Sequence, residues 1–367
     1  MQFSEETKSD TLRIKERQLA LYPENSFLYF PTTRYQGSKL KILDWIWESI
    51  KHIDFETALD AFGGTGCVGY MFKCKGKEVT YNDVLTFNYY IGLALIENNQ
   101  LNLTKEEICY LITRHDEFHY DDFITKTFRD IYFMDEENFW LDVVVQNIQT
   151  LENKYERALA FFALFQACII KRPYNLFHRK NLYMRTANVK RSFGNKATWD
   201  KSFQYYFKHF VTEANFCVFD NGKKCQALNE DALELKNTYD LVYIDTPYIS
   251  AKGIGVDYLE FYHFLEGLAN YKKWEDKINF NSKHKKFKAP KSIWADKNKI
   301  HKAFDDLFYH FKDSILVVSY RDYGIPIEEE LFELLKRHKK NVYEVKKKNY
   351  KYALSKNDTH ELLFIAT

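Results

Sequence analysis

The chain of 367 residues has a net charge of only +2, and 46% of its residues are hydrophobic, so it can bury a large core and is not a disordered chain. Residues 1–17 are too charged for a signal peptide, and the longest apolar run, 158–170, is too short to cross a bilayer. The chain is therefore expected to have no membrane partner. Six cysteines occur without CxxC or zinc-like spacing, which predicts reduced thiols in a cytoplasmic protein and no metal site.

A helix is predicted directly after residues 35–39 (YQGSK), because apolar residues recur at helical spacing from Leu40 to Ile50. Gly37 permits a close approach of the backbone to a ligand, and Lys39 offers a cation for a carboxylate. Taken alone, such a segment is more often a solvated helix N-terminus. Its functional interpretation therefore depends on the motifs that follow.

Residues 57–66 (TALDAFGGTG) indicate a buried strand, an acidic residue and a glycine-rich turn, which together are typical of the first β-turn-α unit of a Rossmann-like sheet. A second strand at 78–82 is followed by Asp83, about 20 residues past Gly63, where an acidic side chain can bind ribose hydroxyls. The loop departs from the phosphate-binding G-x-G-x-x-G spacing. These features favour a nucleoside cofactor without a pyrophosphate.

Charge is segregated in the middle of the chain. Residues 105–160 carry 13 acidic and 6 basic side chains, and an apolar helix is predicted at 153–170. Residues 171–199 then carry eight Lys or Arg and no acid, with six aromatic or imidazole rings between them. Because phosphates bind cations and unstacked bases bind flat rings, this segment predicts DNA contact, against the ordinary alternative of a solvated basic face. The expected contacts are Arg172, His178, Arg179, Lys180, Arg185, Lys190 and Arg191.

The tetrapeptide Asp245-Thr246-Pro247-Tyr248 follows an apolar strand at 241–244. In open α/β sheets, ligands bind at the edge where such strands end. The Asp245 carboxylate and the Thr246 carbonyl can accept the two N–H groups of a planar amine, and the Tyr248 ring can stack on the attached heterocycle. Asp-x-Pro-Tyr also occurs in ordinary turns, so the tetrapeptide gains its meaning from the cofactor loop upstream.

The C-terminal third supplies a second basic stretch and the last strands. Residues 271–302 carry eleven lysines against three acids, and two interpretations stay open, a DNA clamp and a solvated insertion. A buried parallel strand is predicted at 314–320. Residues 342–347 and 361–366 are predicted to form a terminal antiparallel pair.

Together these motifs resemble the S-adenosylmethionine-dependent N6-adenine DNA methyltransferases. The motifs are Tyr35-x-Gly37-x-Lys39, Asp60-x-Phe62-x-Gly64-x-Gly66 and Asp245-Thr246-Pro247-Tyr248. Their order, with the cofactor loop first and the catalytic loop last, is similar to that of the α (Dam-like) subgroup. The resemblance implies an α/β fold, with a Rossmann-like, mostly parallel methyltransferase sheet at 1–104 and 216–367. It also implies an inserted, mainly helical target-recognition domain at 105–215.

The resemblance assigns a role to each matching residue. Lys39 and Asp60 would hold the carboxylate and the ammonium of the cofactor's methionine, and Asp83 would bind its ribose. The loop around the cofactor, S-adenosyl-L-methionine, would comprise Tyr35, Gly37, Phe62, Gly64 and Gly66, with Asp231 near the cofactor's adenine. Asp245, Thr246, Pro247 and Tyr248 would form the catalytic loop. The family usually has Pro where Thr246 stands, which leaves the rigidity of that loop in question.

The implied reaction is methyl transfer to N6 of an adenine flipped out of double-stranded DNA, in a restriction-modification system whose cognate restriction endonuclease is a separate chain. Three alternatives stay open. The first is an RNA adenine or protein glutamine methyltransferase, although the glutamine enzymes usually carry Asn in place of Asp245. The second is a non-catalytic DNA-binding subunit. The third is a fusion with endonuclease activity, for which no segment of the chain is left over.

Overall fold

One mixed sheet organises the part of the chain that the computed structural model describes, which is residues 29–187, 196–236, 238–349 and 359–367. Seven strands of these residues pair in the order β3-β2-β1-β4-β5-β7-β6. Their bounds are β1 Thr57–Asp60, β2 Glu78–Asn82, β3 Gln226–Leu228, β4 Leu241–Ile244, β5 Ile315–Arg321, β6 Val342–Asn349 and β7 His360–Ala366.

Strands β1 to β5 are mutually parallel, whereas β7 pairs antiparallel with both β5 and β6. The predicted Rossmann-like methyltransferase sheet, with its antiparallel C-terminal pair, is therefore confirmed. The strand order reverses between β1 and β4, and a crevice forms at such a switch point beyond the carboxyl ends of the strands. Asp60 ends β1 and Asp245 follows β4, so the fold brings the two motifs to that crevice.

Strands at the centre of the sheet are apolar because helices cover both faces. All four residues of β4 are buried, and so are the last three of β1. Parallel strands covered on both sides are near-continuous apolar runs, which is why the pattern at 241–244 could be recognised without alternation.

Helices precede, interrupt and follow the strands. The α-helices of the described residues are α1 Leu43–Ile50, α2 Cys67–Cys74, α3 Thr86–Gly92, α4 Lys105–Ile112, α5 Phe123–Thr127, α6 Asp135–Thr150, α7 Lys154–Ile170, α8 Tyr183–Thr186, α9 Lys196–Asp200, α10 Phe203–Phe216, α11 Tyr258–Ala269, α12 Trp274–Lys277, α13 Ile300–His310 and α14 Glu328–His338. Short 3₁₀ turns lie at Leu40–Ile42, Pro173–Asn175, Tyr271–Lys273 and Ile293–Ala295, and a π turn lies at Leu93–Glu97.

The helices between β2 and β3 share their core with the sheet. The Asn153 side chain caps α7 by accepting from the Tyr155 N–H at 2.9 Å, and every α7 residue from Ala158 to Ile170 is buried. This helix packs against α10 and α3, where the rings of Phe87 and Phe165 meet edge to face at 5.8 Å. The division at 105 and 215 into two domains stays a prediction. No helix of the described residues is both long and apolar enough to span a membrane.

The Tyr81 ring of β2 supports the glycine loop after β1. Its hydroxyl donates to the carbonyls of Gly64 at 2.8 Å and Asn88 at 3.1 Å. A Cβ added to Gly63 would lie 2.0 Å from this ring, and one added to Gly92 of α3 would lie 2.3 Å from it. The buried ring therefore fills the space that these two glycines leave.

We expect Gly92→Ala to lower the free energy of unfolding by roughly 1–3 kcal/mol, because the new methyl overlaps a buried aromatic ring. At an unobstructed helical position the same change would stabilise the chain by about 0.5–1 kcal/mol. Denaturant unfolding followed by circular dichroism measures the effect. When Tyr81→Leu is already present, Gly92→Ala should lower the free energy of unfolding by less. An equal loss with and without Tyr81→Leu would contradict the proposed overlap.

Candidate active site

The glycine loop turns tightly between β1 and α2. Gly64 and Gly66 have φ values of +50° and +75°, in the left-handed region that favours glycine. The Gly63 N–H donates to the Asn82 carbonyl at 2.8 Å, which ties the loop to the end of β2. The backbone is thus held open at the carboxyl edge of the sheet.

Asp60 presents a buried carboxylate at the start of this loop. Its Oδ2 accepts the Gly69 N–H of α2 at 2.9 Å. Burial raises the pKa of Asp60 to about 7, although the Gly69 bond opposes the shift and Lys39 lowers it slightly. A carboxylate that desolvation destabilises gains strongly from a cationic ligand, so Asp60 fits a ligand's ammonium group.

Asp83 holds the loop from the next strand. Its Oδ2 accepts from the Gly64 N–H and from Asn88 Nδ2, both at 3.0 Å, and its Oδ1 accepts from the Leu85 N–H at 2.9 Å. Burial raises the pKa of Asp83 to about 6 despite these three bonds. Asp83 therefore has a structural task beside the ribose contact predicted for it.

Tyr35 and Gly37 lie against α11, which follows the catalytic loop. The Tyr35 ring is nearly parallel to those of Tyr262, at 4.5 Å, and Tyr258, at 5.4 Å. Gly37 has a φ of +89°, and a Cβ there would lie 2.5 Å from the Tyr258 hydroxyl. The N-terminal motif is thus packed against α11, the helix that follows the catalytic loop.

Four polar side chains meet behind the catalytic loop. The Lys39 ammonium donates to Asp245 Oδ1 at 2.8 Å, contacts the Tyr248 hydroxyl, and lies 3.3 Å from Glu361 Oε1. The Tyr248 hydroxyl lies 2.9 Å from both Asp245 Oδ1 and Glu361 Oε1. Side-chain exposure is 2% for Lys39 and 0% for Glu361, but 18% for Asp245. Asp245 is therefore the carboxylate of this cluster that faces outward.

Two residues with expected ligand contacts have protein partners in this structure. The Tyr248 ring was expected to stack on the target base, but its hydroxyl is bonded into the cluster and its ring packs edge to face on Tyr320 at 5.1 Å. Lys39 was expected to bind a cofactor carboxylate, but its ammonium contacts the three partners named above. The physical reason is the same for both residues. A buried ammonium and a buried phenol hydroxyl both need polar partners, and the two carboxylates of the cluster supply them.

Burial raises the pKa of Asp245 to about 6. The positive charge of Lys39 opposes that shift, and the negative charge of Glu361 adds to it. The bonds from Lys39 and Tyr248 both end on Oδ1, and among the described residues none ends on Oδ2. Oδ2 is thus the oxygen available to a ligand.

The neighbouring Thr246 is buried, and its hydroxyl has no hydrogen-bond partner among the described residues. The described residues therefore offer no contact that explains why a Thr stands here in place of the family's usual Pro.

The motifs open into one cavity of about 670 Å³, within the range of small-molecule sites. Its wall includes the glycine loop 60–65, Lys39, Asp83, Asp231, Asp245, Pro247, Tyr258 and residues 287–294. Trp294 closes one side by packing edge to face on Phe62 at 4.9 Å. Part of the basic stretch 271–302 is therefore a wall of the site.

The basic segment 171–187 divides into an interior and a surface part. Lys171, Arg172 and Arg185 are buried, so Arg172 and Arg185, which were predicted as DNA contacts, do not face solvent in this structure. Arg185 forms two bonds to Glu137, at 2.7 and 2.8 Å, and Lys171 lies 2.7 Å from the same carboxylate. Burial would raise the pKa of Glu137, but Arg185 and Lys171 outweigh it and hold that pKa below its ordinary value.

Arg172 braces a surface loop from within. Its guanidinium donates to the carbonyls of Leu176 at 3.2 Å and Arg179 at 2.9 Å, and it lies over the Tyr132 ring at 4.4 Å. Arg179 and Lys180 are exposed on that loop and His178 is half-buried. Two other expected DNA contacts, Lys190 and Arg191, lie outside the described residues.

Sequence reasoning missed three residues of the site. These are Glu361 on β7, Tyr258 on α11 and Trp294 in the basic stretch. The one local signal was a glutamate beside the apolar run of β7. The partners of all three are distant in sequence, so no spacing could identify them.

Comparison with known proteins agrees with this geometry. A family model described as D12 class N6 adenine-specific DNA methyltransferase matches residues 35–322. Type II methyltransferase M2.HphI of Haemophilus parahaemolyticus is 32% identical over 321 residues, which cover 85% of this chain and 90% of the relative.

Two further relatives are longer proteins. Type II methyltransferase M.FokI of Planomicrobium okeanokoites is 28% identical over 90% of this chain and 52% of its own length. Modification methylase StsI of Streptococcus sanguinis is 29% identical over 90% of this chain and 51% of its own length. The chain thus spans about half of each of these two relatives. From the family match and the M2.HphI alignment, the chain belongs to the D12 class of N6 adenine-specific DNA methyltransferases, enzymes that use S-adenosylmethionine as methyl donor.

Proposed function

We propose that Asp245 Oδ2 and the Thr246 carbonyl accept the two N–H groups of the target adenine. The observation that carries this proposal is the placement of Asp245. Its Oδ1 is fixed from behind by Lys39 and Tyr248, while its side chain keeps 18% exposure on the cavity wall. A carboxylate oriented before substrate binds costs no reorganisation during the reaction.

The chemistry explains why a carboxylate is needed. The N6 lone pair is delocalised into the purine, so the amine is a poor nucleophile. Hydrogen bonds from both N–H groups to Asp245 and to the Thr246 carbonyl draw the amine toward tetrahedral geometry. S-adenosylmethionine supplies a methyl group activated on a sulfonium. As the N–C bond forms, positive charge develops on nitrogen, and Asp245 stabilises it and can accept the proton that leaves.

The cofactor loop fits an amino-acid nucleoside. Asp60 is a desolvated carboxylate suited to the ammonium, and Asp83 and Asp231 stand on the same cavity wall. Because Lys39 is bound to Asp245, we assign it to the catalytic carboxylate and not to the methionine carboxylate. Tyr35 and Phe62 line the cavity as apolar surfaces.

The DNA surface is proposed to combine the loop 178–180 with the basic stretch. The buried Tyr132 hydroxyl joins them, because it contacts the carbonyls of Phe177 and His284, the latter at 2.9 Å. Lys288 and Lys291 are exposed beside the cavity mouth. Cations on both segments can hold phosphates while the adenine enters the cavity. We keep 105–215 as the proposed recognition domain, without Arg172 and Arg185 as DNA contacts.

A separate endonuclease of the same specificity is proposed as the functional partner, because several relatives carry the names of modification methylases or type II methyltransferases. The cytoplasmic location stays a prediction. Sequencing that detects modified bases, on DNA from cells that express the chain, tests modified base and site together. Cells whose DNA lacks N6-methyladenine would contradict the reaction.

Thr246→Pro should keep methyl transfer, because the residue that the family usually has there retains the same backbone carbonyl. It also removes a buried hydroxyl without a partner among the described residues, so stability should not fall. Turnover and thermal unfolding of the variant, beside Thr246→Val, measure both effects. Loss of activity in both variants would show that the hydroxyl contacts the substrate.

Asp245→Ala should reduce turnover by at least about 10²-fold while DNA affinity stays near that of the wild type. In the wild type, the ionised carboxylate is the active form and its pKa is about 6. The value of kcat/KM should therefore be constant above that pH and fall below it, by about tenfold per pH unit. A wild-type profile without an acidic limb, or an active Asp245→Ala enzyme, would contradict the role of Asp245.

Arg179 and Lys180, changed together to Ala, should weaken DNA binding and flatten its dependence on salt, by about 0.9 log unit per log unit of salt for each phosphate that the variant no longer neutralises. The matched control is Lys312→Ala with Lys336→Ala, which removes the same charge from exposed positions outside the proposed surface. A salt titration of binding compares the pairs. Equal slopes would mean that the loop 178–180 is only a solvated face.

A further inference from the structure

Glu361 is a charged residue at the start of a strand that is otherwise largely apolar. It lies on β7 opposite Arg321 of β5 and is followed by the buried residues Leu362 to Ala366. Its own exposure is 0%. Desolvating a carboxylate is costly, and exchanging a buried ion pair for packed apolar residues is often neutral or stabilising. Fold stability therefore does not explain a glutamate at this position.

Glu361 contacts the catalytic loop through Tyr248 and the N-terminal motif through Lys39. Its Oε1 accepts from Ser319 Oγ at 2.5 Å, and it lies 2.9 Å from the Tyr248 hydroxyl and 3.3 Å from the Lys39 ammonium. Lys39 and Tyr248 each contact Asp245 Oδ1 as well. Lys39 and Tyr248 thus lie between two carboxylates, that of Glu361, which is fully buried, and that of Asp245, which stands on the cavity wall.

We propose that Glu361, anchored by Ser319, is a positioning residue that sets the orientation and the basicity of Asp245 through Lys39 and Tyr248. This inference rests on the proposed role of Asp245. Because Glu361 contacts Lys39 and Tyr248 on the side away from Asp245, it holds both groups in place against Asp245 Oδ1. Oδ2, which accepts no hydrogen bond from the described residues, is then held toward the amine.

The charge of Glu361 has a second effect. Lys39 is shared by two carboxylates, so it neutralises Asp245 less than an undivided ion pair would. The other groups near the pair are Asp60, whose carboxylate adds repulsion, and Tyr243, whose phenol stays protonated because burial raises its pKa. Glu361 thereby keeps Asp245 basic enough to take up the proton that leaves the amine.

The test is the pH profile of kcat/KM for methylation of plasmid DNA from a host without the modification. Glu361→Gln keeps the shape and the acceptor oxygen but removes the negative charge. The acidic limb should then move to lower pH by about one unit, since Asp245 no longer faces a second carboxylate. The matched control is Glu213→Gln, another buried glutamate, which accepts from Thr32 and not from the cluster. Its limb should stay at the wild-type pH.

A Glu361→Gln enzyme that binds cofactor normally and keeps the wild-type limb would overturn the proposal. Ser319→Ala is the second variant, because it leaves every charge in place and removes only the anchor of Glu361. Its kcat should fall, by up to about tenfold, with KM unchanged. A Ser319→Ala enzyme with wild-type kcat also contradicts the proposal. A wild type without an acidic limb would instead remove the role of Asp245 itself, so the two failures are distinguishable.

Discussion

The buried ammonium of Lys39 is the group on which the active site depends. It joins the N-terminal motif, the catalytic loop and the last strand. Lys39 precedes Asp245 by 206 residues, and Tyr248 precedes Glu361 by 113 residues. An unpaired cation in this position would be strongly unfavourable, so the three elements must assemble around it. The Asp245 carboxylate takes its orientation from that requirement.

The same requirement explains the division of labour among three acidic residues. Asp60 and Asp83 are buried at the glycine loop with backbone N–H groups as partners, whereas Asp245 is held by side chains. Backbone donors fix a carboxylate rigidly and carry no charge. A lysine and a tyrosine can instead tune the affinity of the carboxylate for a proton, which is the property that amine methylation uses.

The sheet could be predicted because buried parallel strands are short apolar runs that end in conspicuous residues. Asp60 ends strand 57–60, Asp83 follows strand 78–82, and Asp245 follows strand 241–244. Because ligands bind where parallel strands end at a switch point, these three residues could be expected to lie close together. The family's motifs supplied the chemistry. The glutamate beside the apolar run of β7 did not by itself indicate a role for Glu361, because its contacts with residues 39 and 248 depend on how β7 inserts between β5 and β6.

The basic segment shows the limit of reading charge along a chain. Its cations are unopposed within the segment, which contains no acid, yet Glu137 on α6 neutralises Lys171 and Arg185 from 34 to 48 residues away. Likewise, the Tyr248 ring could be assigned to stacking from its motif, but the direction of its hydroxyl depends on the partners that only the folded chain brings together.

The position of Tyr132 has a consequence for specificity. Its hydroxyl ties the loop that carries Arg179 to the stretch that walls the cavity, and it lies 2.8 Å from His263 Nε2 of α11, whose imidazole is neutral because burial lowers its pKa to about 3. An enzyme that modifies one base within a longer site needs a constant distance between the groups that read the site and the groups that act. The Tyr132 hydroxyl contacts both segments, so the spacing between the proposed DNA-contacting loop and the cavity wall depends in part on this one buried side chain.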